Sequence, residues 1–437
     1  MDNREYIELI GSYLLHKVTD RIHPFMVINK YSPYGYIKSI SSEVKNREFD
    51  ITPLLHFGKF DDSILRFYNI LQEKLSHCNQ SGFYNNLENV RIREKQKVSN
   101  IKVDLKTSGD YCSLKNRINL YLKNIALRKG NYNDQLEDVL SHELLHMATS
   151  YTKGKITLSG FSQIIGGKIS ACCGLNEGYT ELLNKRYFSK CKKDRGSYPE
   201  QQFIALGIEE IVGREKMESL YFDADLEGLV KELSQYASIE EIHELLGTIE
   251  DCHQNDGKND FDYKEKAAIA RVMIANIKNR NDEKLYNEGK ITEEDYNFRR
   301  FRSYCYIHGY GFFKGEDDYG IINRYDVRAA KMSSDAYRIV MNKFLKSDVA
   351  KRDFTVADSN NENGDLVDLC YCLHVVQFRD GYDLSDITDA EILPPKGYKL
   401  VTKNDEEVIV QNGNNDELDI MLKEKKADSS INTGKNK

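Results

Sequence analysis

The sequence predicts an α+β protein: a small mixed sheet and two helices bearing reactive side chains, then a mainly helical region and a small β-rich C-terminal part. Three patterns carry this expectation. Residues 101–105 (Ile-Lys-Val-Asp-Leu) and 117–122 (Arg-Ile-Asn-Leu-Tyr-Leu) alternate with the period of strands, separated by a polar turn near Lys115 and Asn116. Next come two stretches with helical start signals, one holding His142-Glu143-Leu144-Leu145-His146 and one running from about 176 to 187. Beyond Tyr198 the chain reads helical for a long way, and short strands return between about 351 and 412.

In chain order, residues 1–95 form a mixed region of unassigned role. Its clearest element is a helix in which Ile64, Leu65, Phe67, Tyr68, Ile70, Leu71 and Leu75 recur at helical spacing, and 25–28 read as extended. The region that carries the two reactive helices is placed at 96–255. Its first helix begins at Asn133 or Asp134, with Glu137 near the positive helix start. A glycine-rich passage of loops and short strands follows, with Gly154, Gly160, Gly166, Gly167 and Gly174. Ser238 and Glu241 form a capping box, and helices are expected over 264–279 and 334–345 within a helical region at 256–350. The β-rich part at 351–412 includes 369–378 and 408–410, and the polar 413–437 is expected to be disordered.

With 437 residues, 40% hydrophobic and 30% charged, the chain can bury more than one core. A net charge of -7 provides no basic field for phosphates, so neither nucleic acid nor an anionic membrane is an expected partner. The start of the chain lacks the pattern of a signal peptide, no apolar run reaches membrane-spanning length, and nine scattered cysteines suit a reducing compartment. A cytoplasmic protein is expected. Nothing in the composition sets the oligomeric state.

Chemistry concentrates in the two helices. Each helical residue turns about 100°, which puts His142 and His146 one turn apart with both imidazoles able to reach one metal ion. Glu143 lies beside that face, where its carboxylate can accept a proton from water without binding the metal. A catalytic zinc takes three protein ligands and an open position, so a third ligand is required. Gly174-Leu175-Asn176-Glu177-Gly178-Tyr179-Thr180-Glu181 offers two carboxylates four residues apart.

At these residues the chain resembles the gluzincins, the thermolysin-like branch of the HExxH zincin metallopeptidases. It is also similar to uncharacterised bacterial zincin-like proteins. The resemblance covers roughly 96–200. It implies Zn2+ held by His142, His146 and Glu177, Glu143 as general base towards a metal-activated water, and Glu181 hydrogen-bonding the ring N–H of His142. Asn176 fits the family's Asn-Glu pair. The resemblance further implies a peptide or protein substrate, laid along an edge strand for which 117–122 is the candidate. An alternative keeps the zincin fold as a binding or regulatory module with vestigial or switched peptidase activity, and a third changes the reaction to another amide. The donor that would stabilise the oxyanion is open among Tyr151, Tyr187, Tyr198, His243, His253 and His308. Cys370, Cys372 and His374 alternate on one strand face and read as core, and the basic stretch 185–195 reads as solvated surface.

Overall fold

The structure, a computed structural model, describes residues 51–96, 107–128, 130–153, 156–165, 169–191, 197–314, 319–323, 326–332, 341, 344–359, 398–403, 407–412 and 417–421. The expected strands at 25–28, 101–105 and 369–378, the Cys370, Cys372 and His374 cluster, and most of the expected helix 334–345 lie outside these residues. The chain divides into two compact units between Ile277 and Lys278.

In the first unit, helix α1 (Asp61–Lys74) buries Ile64, Phe67 and Leu71, the apolar stripe its periodicity predicts. The short helix α2 (Ser81–Leu87) leads into a three-stranded sheet made of β1 (Arg91–Lys95), β2 (Gly109–Cys112) and β3 (Arg117–Tyr121). The order is β1-β3-β2, with β3 parallel to β1 and antiparallel to β2. The expected assignment of 117–122 as the edge strand is therefore corrected. Ile118, Leu120 and Tyr121 are buried in the middle strand. Among the described residues the edge nearest the helices is β2, whose Gly-Asp-Tyr-Cys sequence carries no apolar alternation. Asn116, in the left-handed conformation at φ 42°, closes the β2–β3 connection.

After the short helix α3 (Leu122–Leu127), helix α4 (Tyr132–Ala148) begins slightly earlier than at the expected Asn133 or Asp134. Asn131 is the cap, accepting hydrogen bonds from the backbone N–H groups of Asn133 and Asp134. Every residue from Asp138 to Ala148 is buried. Such a segment must satisfy its polar side chains internally.

The glycine-rich passage is a four-stranded antiparallel meander, β4 (Ser150–Lys153), β5 (Ile156–Ser159), β6 (Ser162–Ile165) and β7 (Ile169–Ala171). Helix α5 (Cys173–Leu183) follows and ends in a π-helical turn, Asn184–Phe188. The helices α6 (Pro199–Val212), α7 (Arg214–Phe222), α8 (Leu226–Leu233) and α9 (Ile239–Asn255) complete this unit, with Ser238 and Glu241 forming the expected capping box. Gly174 lets α5 and α9 approach closely, since a Cβ there would stand 2.6 Å from the Ile249 carbonyl oxygen and 2.8 Å from Cβ of His253. Helix α10 (Asp260–Asn287) contains the expected 264–279 stretch.

The second unit holds α11 (Glu293–Ile307), a meander of β8 (Tyr310–Lys314), β9 (Tyr319–Asn323) and β10 (Asp326–Met332), and a second meander of β11 (Tyr398–Lys403), β12 (Glu407–Asn412) and β13 (Glu417–Met421). The last of these strands pairs with β12 inside the stretch expected to be disordered. Its apolar Leu418 and Ile420 supply the alternation that the lysine-rich flanks obscure. Small sheets beside two buried helices, then a helical region and a small β element, match a zincin-type layout. No helix among the described residues is long and apolar enough to cross a membrane.

Candidate metal centre

Helices α4 and α5 bring His142, His146 and Glu177 together, with one potential ligand atom from each within 4.8 Å of the others. The Nε2 atoms of the two histidines are 3.1 Å apart, and Oε2 of Glu177 lies 3.3 Å from that of His142 and 3.4 Å from that of His146. Atoms bound about 2.0–2.1 Å from a tetrahedral ion stand about 3.3–3.4 Å from one another, so the triangle has the size of three corners of such a site. The donor set fits as well. A proton can link one pair of these atoms at a time, whereas a divalent cation engages all three lone pairs.

The partners of the histidines fix their outer nitrogens. Nδ1 of His142 lies 2.7 Å from Oε2 of Glu181, and the amide of Asn176 lies 3.3 Å from Nδ1 of His146. The oxygen of Asn176 also accepts the backbone N–H of Phe161 at 3.1 Å, tying the amide to the turn before β6. For His142 the Glu181 carboxylate accepts the Nδ1 proton, which leaves the Nε2 lone pair turned towards the centre. The sequence quoted Asn176 only as part of a pattern; its contact with His146 depends on the fold.

Burial of the charges shows in their ionisation. Burial pushes the Glu143 carboxyl up to about 7, with Glu177 and Asp110 acting in the same direction against the two histidines. Burial also works to raise Glu177, but the neighbouring His146 and the hydrogen bonds from both histidines hold it well below the usual carboxylate range. For Glu181 burial is again outweighed, here by His142, Lys185 and Arg128, and the carboxyl sits at about 2. Burial would lower His142, yet its hydrogen bonds with Glu177 and Glu181 raise it well above its ordinary value. Glu177 keeps a 23% exposed side chain, so solvent reaches this side of the centre.

Edge strand β2 lies against the Glu143 side of α4. A Cβ on Gly109 would stand 2.8 Å from Oε1 of Glu143 and 2.7 Å from a methyl carbon of Val139, so only glycine permits this approach. Asp110 turns back onto β3, accepting from Asn119 at 2.8 Å and from the Tyr121 hydroxyl.

The six candidate oxyanion donors are separated by the fold. The Tyr151 hydroxyl donates to the Phe222 carbonyl and that of Tyr187 to Glu218, so both are structural. His243 is buried in α9, and His308 belongs to the second unit. Tyr198 is half-buried at the start of α6 with φ 59°, its ring 6.5 Å from that of His142 and 5.6 Å from that of His253. Its hydroxyl is raised well above the ordinary tyrosine range, first by the nearby Glu177 carboxylate and then by burial and Glu143. His253 stands at the α9 end of this group, and its buried Nδ1 has no hydrogen-bond partner among the described residues.

The start of the basic stretch departs from the expected solvated surface. Lys185 is only 9% exposed, and Arg186 is paired with Glu209 at 2.7 Å and with Glu218 at 3.5 Å. Residues 192–195 of that stretch lie outside the described ones. Compared with protein-family models, with curated proteins and with solved structures, the chain matches none.

Proposed function

We propose that the chain is a zinc-dependent metallopeptidase with a gluzincin-like site, in which His142, His146 and Glu177 hold Zn2+. The observation that carries this reading is the buried triangle of three ligand atoms 3.1–3.4 Å apart, two of them on histidines whose outer nitrogens meet a carboxylate and an amide. Bound zinc would polarise a water molecule and the scissile carbonyl. Glu143 takes the proton of the attacking water and returns it to the departing amine, a task suited to a carboxyl raised towards neutrality. Tyr198 donates a hydrogen bond to the carbonyl oxygen as negative charge develops there. The edge strand of the sheet among the described residues, β2, hydrogen-bonds an extended peptide beside Glu143.

The competing reading, a zincin-fold binding or regulatory module with vestigial or switched activity, draws its support from an incomplete catalytic set. Tyr198 beside the centre favours catalysis over it. The test is metal analysis of purified protein, combined with hydrolysis of unfolded casein. Wild type is expected to hold one zinc per chain, His142→Ala to lose it, and Glu143→Gln to keep zinc with no turnover. Wild type without zinc, or Glu143→Gln cleaving at the normal rate, would sink the assignment.

A further inference from the structure

Behind the candidate centre lies a row of buried charges that the proposed chemistry does not use. Asp138 sits one helical turn before His142 on α4, with its side chain 2% exposed. It accepts from Arg128 at 3.0 Å, from Lys185 at 3.4 Å and from Asn184 at 3.2 Å. Lys185 also reaches Oε1 of Glu181, 3.8 Å away, from the π-helical turn that ends α5. The other oxygen of Glu181 meets His142, and Oε1 additionally accepts the backbone N–H of Ser197 at 3.1 Å. Two carboxylates and two cations therefore alternate across the α4–α5 interface, ending on a histidine of the centre.

We infer that Lys185 is a positioning residue for the metal, acting through Glu181. The inference rests on the zinc reading above. A carboxylate buried to 3% exposure holds one orientation only when its oxygens are all engaged. Lys185 binds Glu181 to Asp138 on the facing helix, so the position of Glu181 is referred to α4, the helix that carries His142. Its remaining oxygen then stays on Nδ1 and keeps Nε2 turned to the centre. Ser197 precedes Tyr198 in the chain, so the same carboxylate also anchors the backbone that delivers Tyr198. Glu181 and Lys185 are four residues apart and so share a helix face, and the π-helical turn that holds Lys185 is closed by the Ser189 N–H to the Asn184 carbonyl at 2.8 Å.

Long-range charge acts in the opposite sense. Removing a cation near a Zn2+ site strengthens zinc binding by Coulomb attraction, whereas losing the support of Glu181 weakens it. A charge-balanced pair of substitutions separates the two. Zinc affinity is measured by competition with a chromophoric chelator for wild type, Lys185→Arg, Lys185→Met and the double variant Asp138→Asn/Lys185→Met, and metal-free thermal midpoints are recorded alongside. The double variant, which leaves the net charge unchanged, is expected to bind zinc about tenfold more weakly, in the range seen when outer partners of metal ligands are lost. Lys185→Arg is expected to stay within about threefold of wild type, because the guanidinium still bridges two carboxylates. If the double variant retains wild-type affinity, or if Lys185→Arg is as weak as the double variant, the inference is overturned. Should the double variant fail to fold, the equally charge-balanced Asp138→Asn/Lys185→Gln replaces it, and wild-type or tighter affinity in that protein overturns the inference too. Failure of the zinc reading itself looks different, since wild type would then bind no zinc.

Discussion

Gly109→Ala tests how closely β2, the proposed substrate edge, and Glu143, the proposed general base, are matched. The added methyl would start 2.8 Å from Oε1 of Glu143, 2.7 Å from Val139 and 3.1 Å from Cγ of Glu143. Ordinary carbon contacts begin near about 3.5 Å, so either β2 or the Glu143 side chain must move by roughly 0.5–1 Å. Moving the carboxylate takes it off the line between water and carbonyl. A misplacement of about 1 Å costs on the order of 100-fold in rate, or about 2.7 kcal/mol of barrier. None of the three candidate ligands is among the nearest neighbours of that Cβ, so zinc content should remain one per chain. The assay is kcat/KM on unfolded casein fragments, with metal analysis of the same sample and a urea unfolding curve. Overpacking of this kind also destabilises by about 1–3 kcal/mol, which the unfolding curve reads separately. A zinc-loaded Gly109→Ala protein with wild-type kcat/KM would refute the reasoning, because β2 would then be free to yield without disturbing Glu143.

Tyr198→Phe should retain zinc and lose about 100- to 1000-fold in kcat, as expected when one oxyanion donor is removed; unchanged kcat would clear Tyr198 of the role. Arg271→Met leaves the carboxylate of Glu200, itself 2% exposed, without its guanidinium and should destabilise the protein by about 3–5 kcal/mol in urea unfolding. A loss below about 1 kcal/mol would show the pair to be dispensable. In the second unit burial would raise Asp358, but hydrogen bonds from Arg352 at 2.7 and 3.0 Å and from the Thr355 backbone at 2.7 Å hold it below its ordinary value. A carboxyl lowered on folding contributes stability above its unfolded value, and this contribution is lost as pH falls through the folded one. Wild type should therefore exceed Asp358→Asn in thermal midpoint near neutral pH, with the gap closing from about pH 5 towards pH 2; a constant gap would contradict the linkage.

What could be read from the sequence follows the range of each interaction. The pairing of His142 with His146, and of Glu177 with Glu181, is set by four-residue spacing within one helix, and the capping box at Ser238 is equally local. The edge strand was misassigned because edge position belongs to the pairing of the whole sheet. The alternation of residues 117–122 marks a strand but not its place in the sheet, and the edge among the described residues, β2, is short and polar. Lys185 was read as solvated because its partner Asp138 lies 47 residues away. Tyr198 is one tyrosine among 28, and no local pattern distinguishes it. Its one sequence signal is Pro199, which marks a helix start and so places Tyr198 at a helix entrance.

The buried charge around α4 and α5 sets the candidate centre apart from the ion pairs that surround it. Asp138, Glu181, Lys185 and Arg128 cancel among themselves, as do Glu200 with Arg271 and Arg186 with Glu209. Glu143 and Glu177 do not cancel in this way. Their nearest partners are two imidazoles, and one of the two carboxyls is driven up to about 7. A fold selected for stability alone would gain by replacing such a pair with apolar groups. A divalent cation between His142, His146 and Glu177 removes the imbalance, since it neutralises both carboxylates and leaves the histidines neutral as ligands. The local electrostatic deficit thus points to the same three residues as the geometry does.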